Sequence, residues 1–206
     1  MPQYDPRAFF TFLKQGITKW DQTASLVPSQ RFLVNAMVDG AHPETAGAIL
    51  ELGPGVGVMT TPLLRRMRPD ARLFTIEIDE PIHEALCRNV KDPRLVAMLG
   101  SAADAEELLA EHHFDGKVDA IVSSLGMSLI PEAIREQILD SALRVLAPHG
   151  VYVQFGYFHT KHLAYTKERG WSGFDYKAML ERKFSRVTRS PVPLNVPPAW
   201  CYVARP

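Results

Sequence analysis

The chain has 206 residues, 46% of them hydrophobic and 22% charged, which is enough for one substantial core and typical of a single globular domain. Lysine plus arginine equals aspartate plus glutamate at 23 each, so the net basic character of a protein that neutralises many phosphates is absent, and no nucleic-acid partner is expected. Cys87 and Cys201 are too far apart for a CxxC site, the start lacks a cationic-then-apolar signal, and the longest apolar run, Ala120 to Ile130, is too short to cross a bilayer. The expectation is a reduced, cytoplasmic protein that meets any membrane from its surface.

In chain order, residues 6–20 place Phe9, Phe10, Phe12, Leu13, Gly16, Ile17 and Trp20 largely on one helical face. Arg7, Lys14, Gln15, Thr18 and Lys19 fall mainly elsewhere, as in an interfacial helix or one that caps its own domain. A second helix is predicted over 29–39, with Ser29 as N-cap and Gly40 as its stop. Residues 1–40 thus read as an N-terminal helical extension of one domain spanning 1–206.

From Ala48 onward, short apolar runs alternate with helical patterns, the signature of a parallel sheet with helices on both faces. Strands are predicted at Ala48–Leu52, Leu73–Glu77, Leu95–Leu99, Val118–Ser123 and Val151–Phe155. Helices fall near Val58–Met67, Pro81–Val90, Ala103–His112 and Pro131–Leu146, the last stopped by Pro148-His149-Gly150. A helix near Phe174–Lys183 then precedes a closing strand pair, Phe184–Arg189 and Ala199–Ala204, for seven strands in all.

The first strand runs straight into Gly53-Pro54-Gly55-Val56-Gly57, and a helix follows. Glycines there permit a tight turn and let a ligand approach the backbone. The spacing is GxGxG, not the GxGxxG of a dinucleotide site. Glu77, twenty residues after Gly57 and at the end of the second strand, is placed to accept hydrogen bonds from ribose hydroxyls. Asp79 reads as the cap of the next helix.

With Glu51 in front, the loop resembles the (D/E)xGxGxG motif of S-adenosylmethionine (SAM) methyltransferases. The resemblance implies a Rossmann-like class I fold and SAM as cofactor, with Glu51 orienting its methionine end. After the third strand, Gly100-Ser101-Ala102 occupies the place of the family's Gly-Asp-Ala turn, where the aspartate reads adenine. Ser101 departs from that pattern, and its hydroxyl either bonds adenine or faces solvent. The cofactor-binding set is therefore Ser29, Glu51, Gly53, Gly55, Gly57, Glu77, Ser101, Ala102 and Ser123.

More widely spread segments narrow the resemblance. They are Phe9-Phe10 with Leu13, Leu26-Val27-Pro28-Ser29, Ile121 to Leu125, Val153-Gln154-Phe155 with Tyr157, and Asn195-Val196-Pro197-Pro198-Ala199. Together they resemble the bacterial phospholipid N-methyltransferases, kin of the ribosomal RNA adenine dimethylases. What the resemblance implies is an enzyme methylating phosphatidylethanolamine toward phosphatidylcholine, peripheral to the inner membrane, with ornithine-lipid methylation a close variant. Pro28 and Ser29 would belong to a segment folding over SAM. Gly126 and Gly156 depart from the family, where proline and threonine are common. RNA adenine methyltransferases carry Asn-Leu/Ile-Pro-Tyr/Phe after the fourth strand, whereas this chain reads Ser123-Ser124-Leu125-Gly126.

On the substrate side, Tyr157 is the candidate catalytic residue, either as an aromatic face for a methylated cation or as an amine acceptor. His159 would bind lipid phosphate or relay a proton. Ser123 and Ser124 would line the amine channel through backbone carbonyls, and Asn195 with Pro197-Pro198 would shape the pocket wall. No metal is expected, since the histidines lack a third ligand nearby in sequence. Residues 157–190 carry eight lysines and arginines against three carboxylates, so this stretch, with the helix at 6–20, is the expected contact with an anionic membrane.

Overall fold

The computed structural model describes residues 30–161, 164–166 and 170–206, with the backbone alone between 161 and 172. The predicted helix at 6–20, Pro28 and the Ser29 cap lie outside the described residues. The helices are α1 (Gln30–Ala41), α2 (Thr60–Arg66), α3 (Glu80–Asn89), α4 (Ala105–Glu111), α5 (Glu132–Val145) and α6 (Tyr176–Glu181). The strands are β1 (Ala48–Leu52), β2 (Arg72–Glu77), β3 (Leu95–Leu99), β4 (Val118–Ser123), β5 (Leu146–Tyr157), β6 (Ala164–Thr166), β7 (Gly170–Ser172), β8 (Arg186–Val192) and β9 (Ala199–Arg205).

Seven strands form one sheet in the order β3-β2-β1-β4-β5-β9-β8, and β6 pairs with β7 in a separate hairpin. Strands β1 to β5 run parallel, while β9 is antiparallel to both β5 and β8. The central strands are buried on both faces, which is why they read as continuous apolar runs rather than alternating ones. Alternate residues serve opposite cores: Ile49 packs with α1 and α2, whereas Leu50 and Leu52 pack with α4, α5 and α6. The expected seven-stranded, mostly parallel sheet with helices on both faces is what the chain forms.

Several boundaries differ from the sequence reading. Helix α1 does not stop at Gly40 but runs through it, because a side chain there would stand 3.1 Å from Val203 Cγ2 and the glycine lets the helix close onto the sheet. The expected helix at Ala103–His112 is a 3-10 turn, Ala102–Asp104, leading into α4. Strand β5 begins directly after α5 at Leu146 and includes Pro148-His149-Gly150, which the sequence reading treats as a break. Its pairing with β4 jumps from Val118↔Leu146 to Ala120↔Val151, so the extra residues are absorbed as a bulge within the strand. Pro191 is tolerated in β8 because β8 is an edge strand. The β6–β7 hairpin has no counterpart in the sequence reading.

The basic stretch is also less basic than its composition. Lys177 pairs with Glu181, Arg182 with Glu132 and Glu136, and Lys183 with Glu136 and Asp140. Helix α5 supplies most of these carboxylates, so two of the eight cations, Arg182 and Lys183, are matched by partners that a window over 157–190 does not contain.

Candidate functional site

Strand order reverses between β1 and β4, and in an open parallel sheet ligands bind at such a switch point, beyond the carboxyl ends of the strands. The glycine loop lies there. Gly53, Gly55 and Gly57 hold φ of +71°, +57° and +100°, backbone that side-chain-bearing residues rarely adopt. A Cβ on Gly53 would stand 2.7 Å from Leu125 Cδ2 in the loop after β4, and one on Gly57 2.9 Å from Val90 Cγ2. The loop is therefore pinned on both sides. Backbone bonds continue the ladder past the strand ends: Gly53 N–H donates to Ile76 O at 3.0 Å, Gly100 N–H to Glu77 O at 2.8 Å, and Ser124 N–H to Leu52 O at 2.9 Å.

Two carboxylates flank this loop. Glu77 is buried at the end of β2, and its oxygens accept from the N–H groups of Ile78 (2.9 Å), Asp79 (3.1 Å) and Gly55 (3.3 Å). Burial raises its pKa, and those backbone donors act in the opposite direction. Glu51 is fully buried in β1. Its Oε2 accepts from the Thr60 hydroxyl at 2.7 Å, while Oε1 has no hydrogen-bond partner. Desolvation raises the Glu51 pKa to about 8, opposed by the Thr60 bond and assisted by the charge of Glu77.

An unsatisfied buried carboxylate oxygen costs about 1–3 kcal/mol or more. A cationic donor such as the ammonium of a methionine moiety would satisfy it. The glycine cradle, the orphaned Glu51 oxygen and the strand-end acid Glu77 together fit SAM.

Ser101 and Ala102 follow β3, beside Glu77. The Ser101 hydroxyl accepts from Ala103 N–H at 3.2 Å and caps the 3-10 turn. Asp79 caps α3 by accepting from Ile82 N–H at 3.3 Å, as its position suggests. Ser123 ends β4, fully buried with its hydroxyl beside the Tyr152 phenol.

Tyr157 ends β5, on the far side of β4 from the glycine loop. Its ring lies 5.6 Å from that of His159, nearly parallel at 11°, and meets Phe155 edge-on at 5.4 Å. Burial raises the phenol pKa well above its ordinary value, so the hydroxyl keeps its proton. His159 is exposed. Asn195 is buried, and its Nδ2 donates to Pro197 O at 2.7 Å across the cis Val196-Pro197 bond.

Between these groups runs the loop after β4, residues 124–130, and three residues outside the predicted site hold it. Gln154 Nε2 donates to Leu125 O at 3.0 Å, while its Oε1 accepts from the Tyr152 hydroxyl at 3.1 Å. Arg135 Nη1 donates to Met127 O (3.2 Å) and Ile130 O (2.6 Å). The Tyr176 hydroxyl accepts from Ser128 N–H and donates to Ser128 Oγ, both at 3.3 Å. Gly156 makes room for the last of these, since a Cβ there would stand 2.5 Å from Tyr176 Cδ2. A polar Gln154 inside the apolar Val151–Phe155 run is a signal for its role. Tyr176 and Arg135 offer none, because their loop partners are fixed only by packing.

Comparison with known proteins adds to this geometry. Residues 49–150 match the family model of a methyltransferase domain. The chain is 28% identical over 198 residues to an ornithine lipid N-methyltransferase of Singulisphaera acidiphila, covering 96% of this chain and 95% of that protein. It is 36% identical over 70 residues to the ribosomal RNA small subunit methyltransferase A of Thiobacillus denitrificans, covering 34% of this chain but 26% of that protein. Among solved structures, a DhpI–SAM–HEP complex aligns over all of both chains with a TM-score of 0.68 and 15% identity. A Burkholderia thailandensis 1,6-didemethyltoxoflavin-N1-methyltransferase aligns over 100% of this chain and 92% of its own, with a TM-score of 0.67 and 14% identity.

Proposed function

We propose that this chain, a SAM-dependent methyltransferase of the class I fold, N-methylates the amine of a membrane lipid. The observation that carries the reading is the ornithine lipid N-methyltransferase that aligns over nearly the full length of both chains. The RNA methyltransferases share only a fraction of their length, and the loop after β4 reads Ser123-Ser124-Leu125-Gly126 rather than an adenine-gripping motif. The ornithine lipid head group is the first substrate to test, and phosphatidylethanolamine the second. The membrane-facing side would comprise the amphipathic 6–20 segment and the cations of 157–190 that α5 leaves unmatched.

In this reading Glu51 takes the cofactor's ammonium, Glu77 its ribose hydroxyls, and the backbone of Gly53 to Gly57 lies against it. Ser101 and Ala102 border the adenine, and Ser123 the methionine end. When bound, SAM supplies the electrophilic methyl group and its leaving group, which leaves the protein with alignment and desolvation.

The acceptor nitrogen has to be neutral to attack. The half-buried loop after β4, braced by Gln154, Arg135 and Tyr176, holds the amine in a water-poor setting that disfavours its ammonium form. Tyr157 offers a π face that tolerates a methylated cation, and its retained proton means that it does not act as the base. His159, exposed and stacked on Tyr157, carries the proton from the amine to solvent.

Transfer of labelled methyl groups from SAM tests the reading directly. Label is expected in detergent-dispersed ornithine lipid or phosphatidylethanolamine and not in ribosomal RNA. Intact SAM binding with no labelled lipid would retire the lipid substrate, and labelled RNA would replace it.

A further inference from the structure

The turn between β8 and β9 gives the site described above only its inward-facing Asn195 and the prolines after it. It leaves the sheet at the same edge as Tyr157, whose strand partner is Ala199 at the start of β9. Asn195 anchors it from inside: its N–H donates to Val192 O at 3.3 Å, its side chain to Pro197 O. The residues on either side of Asn195 face outward. Leu194 and Val196 are 64% and 65% exposed, the most exposed large hydrophobic side chains among the described residues.

The base of the turn is rigid and basic. Phe158 N–H donates to Pro198 O at 3.0 Å, and the Phe158 ring stacks on Trp200 with centroids 4.6 Å apart. The Arg189 guanidinium lies 4.2 Å from the Trp200 centroid. Arg189 is the arginine nearest the turn, since Arg186 and Arg205 pair at the far end of β8 and β9, and the chain from Arg186 to Pro206 carries no acidic side chain. Lys177, Arg182 and Lys183, by contrast, are matched by carboxylates.

We propose that the Leu194–Val196 turn is a docking wedge for an anionic bilayer, its two aliphatic side chains entering the interface while Arg189 meets lipid phosphate. An aliphatic pair backed by an aromatic–arginine stack suits the boundary between headgroups and acyl chains. The choice of a bilayer rests on the lipid-amine reading. A lipid whose acyl chains stay in the membrane reaches the carboxyl ends of β1, β4 and β5 only if this edge of the sheet faces the membrane. A second copy of the chain seated on the turn would cover that edge instead.

The test is co-sedimentation of the full chain with vesicles of phosphatidylethanolamine and phosphatidylglycerol, comparing wild type with Leu194→Ser/Val196→Ser and with Arg189→Glu. Unchanged SAM affinity in the variants establishes that they are folded. The expected result is a loss of about tenfold or more in vesicle partition for the double variant. Arg189→Glu should lose less, and its deficit should disappear at high salt. Equal partition of wild type and double variant would overturn the proposal, as would a wild type that does not sediment. Light scattering that shows a dimer broken by the double variant, with vesicle binding intact, would assign the turn to a second copy. Methylation of detergent-dispersed lipid separates the two readings. Vesicle binding through the turn with no labelled lipid removes the substrate but keeps the wedge, whereas labelled lipid with turn-independent binding removes the wedge alone.

Discussion

The two halves of the sheet present opposite chemistry at the carboxyl ends of their parallel strands. On the β1–β2 side the groups are carboxylates, sunk at strand ends beside a glycine loop and partly satisfied by backbone and hydroxyl donors. On the β5–β9 side they are rings and neutral polar groups, Tyr157, Tyr176, Gln154 and Asn195, with the phenol protons held by burial. In the proposed reading, one half neutralises a fixed cation and binds hydroxyls, and the other lowers water content around an amine that must lose a proton. A carboxylate beside that amine would favour the ammonium form, so the acid-poor chemistry of the second half serves the reaction.

The sharpest way to break this division is in the glycine loop. Gly53→Val would force a side chain into φ +71° and against Leu125, and is expected to weaken SAM binding by at least about 100-fold in calorimetry and to lower the melting temperature. Normal affinity would mean that the loop does not hold the cofactor.

Glu77→Gln keeps the size of the side chain but weakens its charge-assisted bonds. A loss of about 10–100-fold in SAM affinity is expected, from about 1.5–3 kcal/mol for a hydrogen bond to a charged group. A change that appears only in the KM for lipid would move Glu77 out of the cofactor half.

Glu51 sharpens the comparison through pH. Its folded-state pKa of about 8 lies above the ordinary 4.5, so its contribution to the stability of the cofactor-free protein is fully present below about pH 4.5. That contribution is lost as pH rises toward 8. Binding of an ammonium needs the carboxylate, so SAM affinity should rise across the same upper range, about 25-fold between pH 6.5 and 8.5. Glu51→Gln should flatten both profiles. Parallel profiles for variant and wild type would remove Glu51 from contact with the cofactor.

In the substrate half the expected effects are smaller. Tyr157→Phe should change kcat by no more than about threefold, while Tyr157→Ala should cost about tenfold or more through the lost aromatic face. A large loss on Tyr157→Phe would make the hydroxyl the amine acceptor. Tyr176→Phe should cost about 1 kcal/mol of stability by urea unfolding and raise KM for lipid slightly, by loosening Ser128 and the loop after β4.

The sequence by itself determined the parts written in contiguous residues. The apolar runs of β1 to β4 are legible because both faces of a parallel strand are buried, and the GxGxG turn because only glycine tolerates its backbone. Glu51 and Glu77 were legible for the same reason: a strand end and a fixed offset place them. Tertiary structure decided everything that depends on partners distant along the chain. It showed Thr60 on one oxygen of Glu51 and nothing on the other, Tyr176 filling the space over Gly156, and Gln154 and Arg135 bracing the loop after β4. It also matched Arg182 and Lys183 of the basic stretch, because α5 lays Glu132, Glu136 and Asp140 against them. Local sequence fixes backbone propensity and alternation. Which polar atoms are satisfied, and which are left for a ligand, is settled only when separate elements pack together.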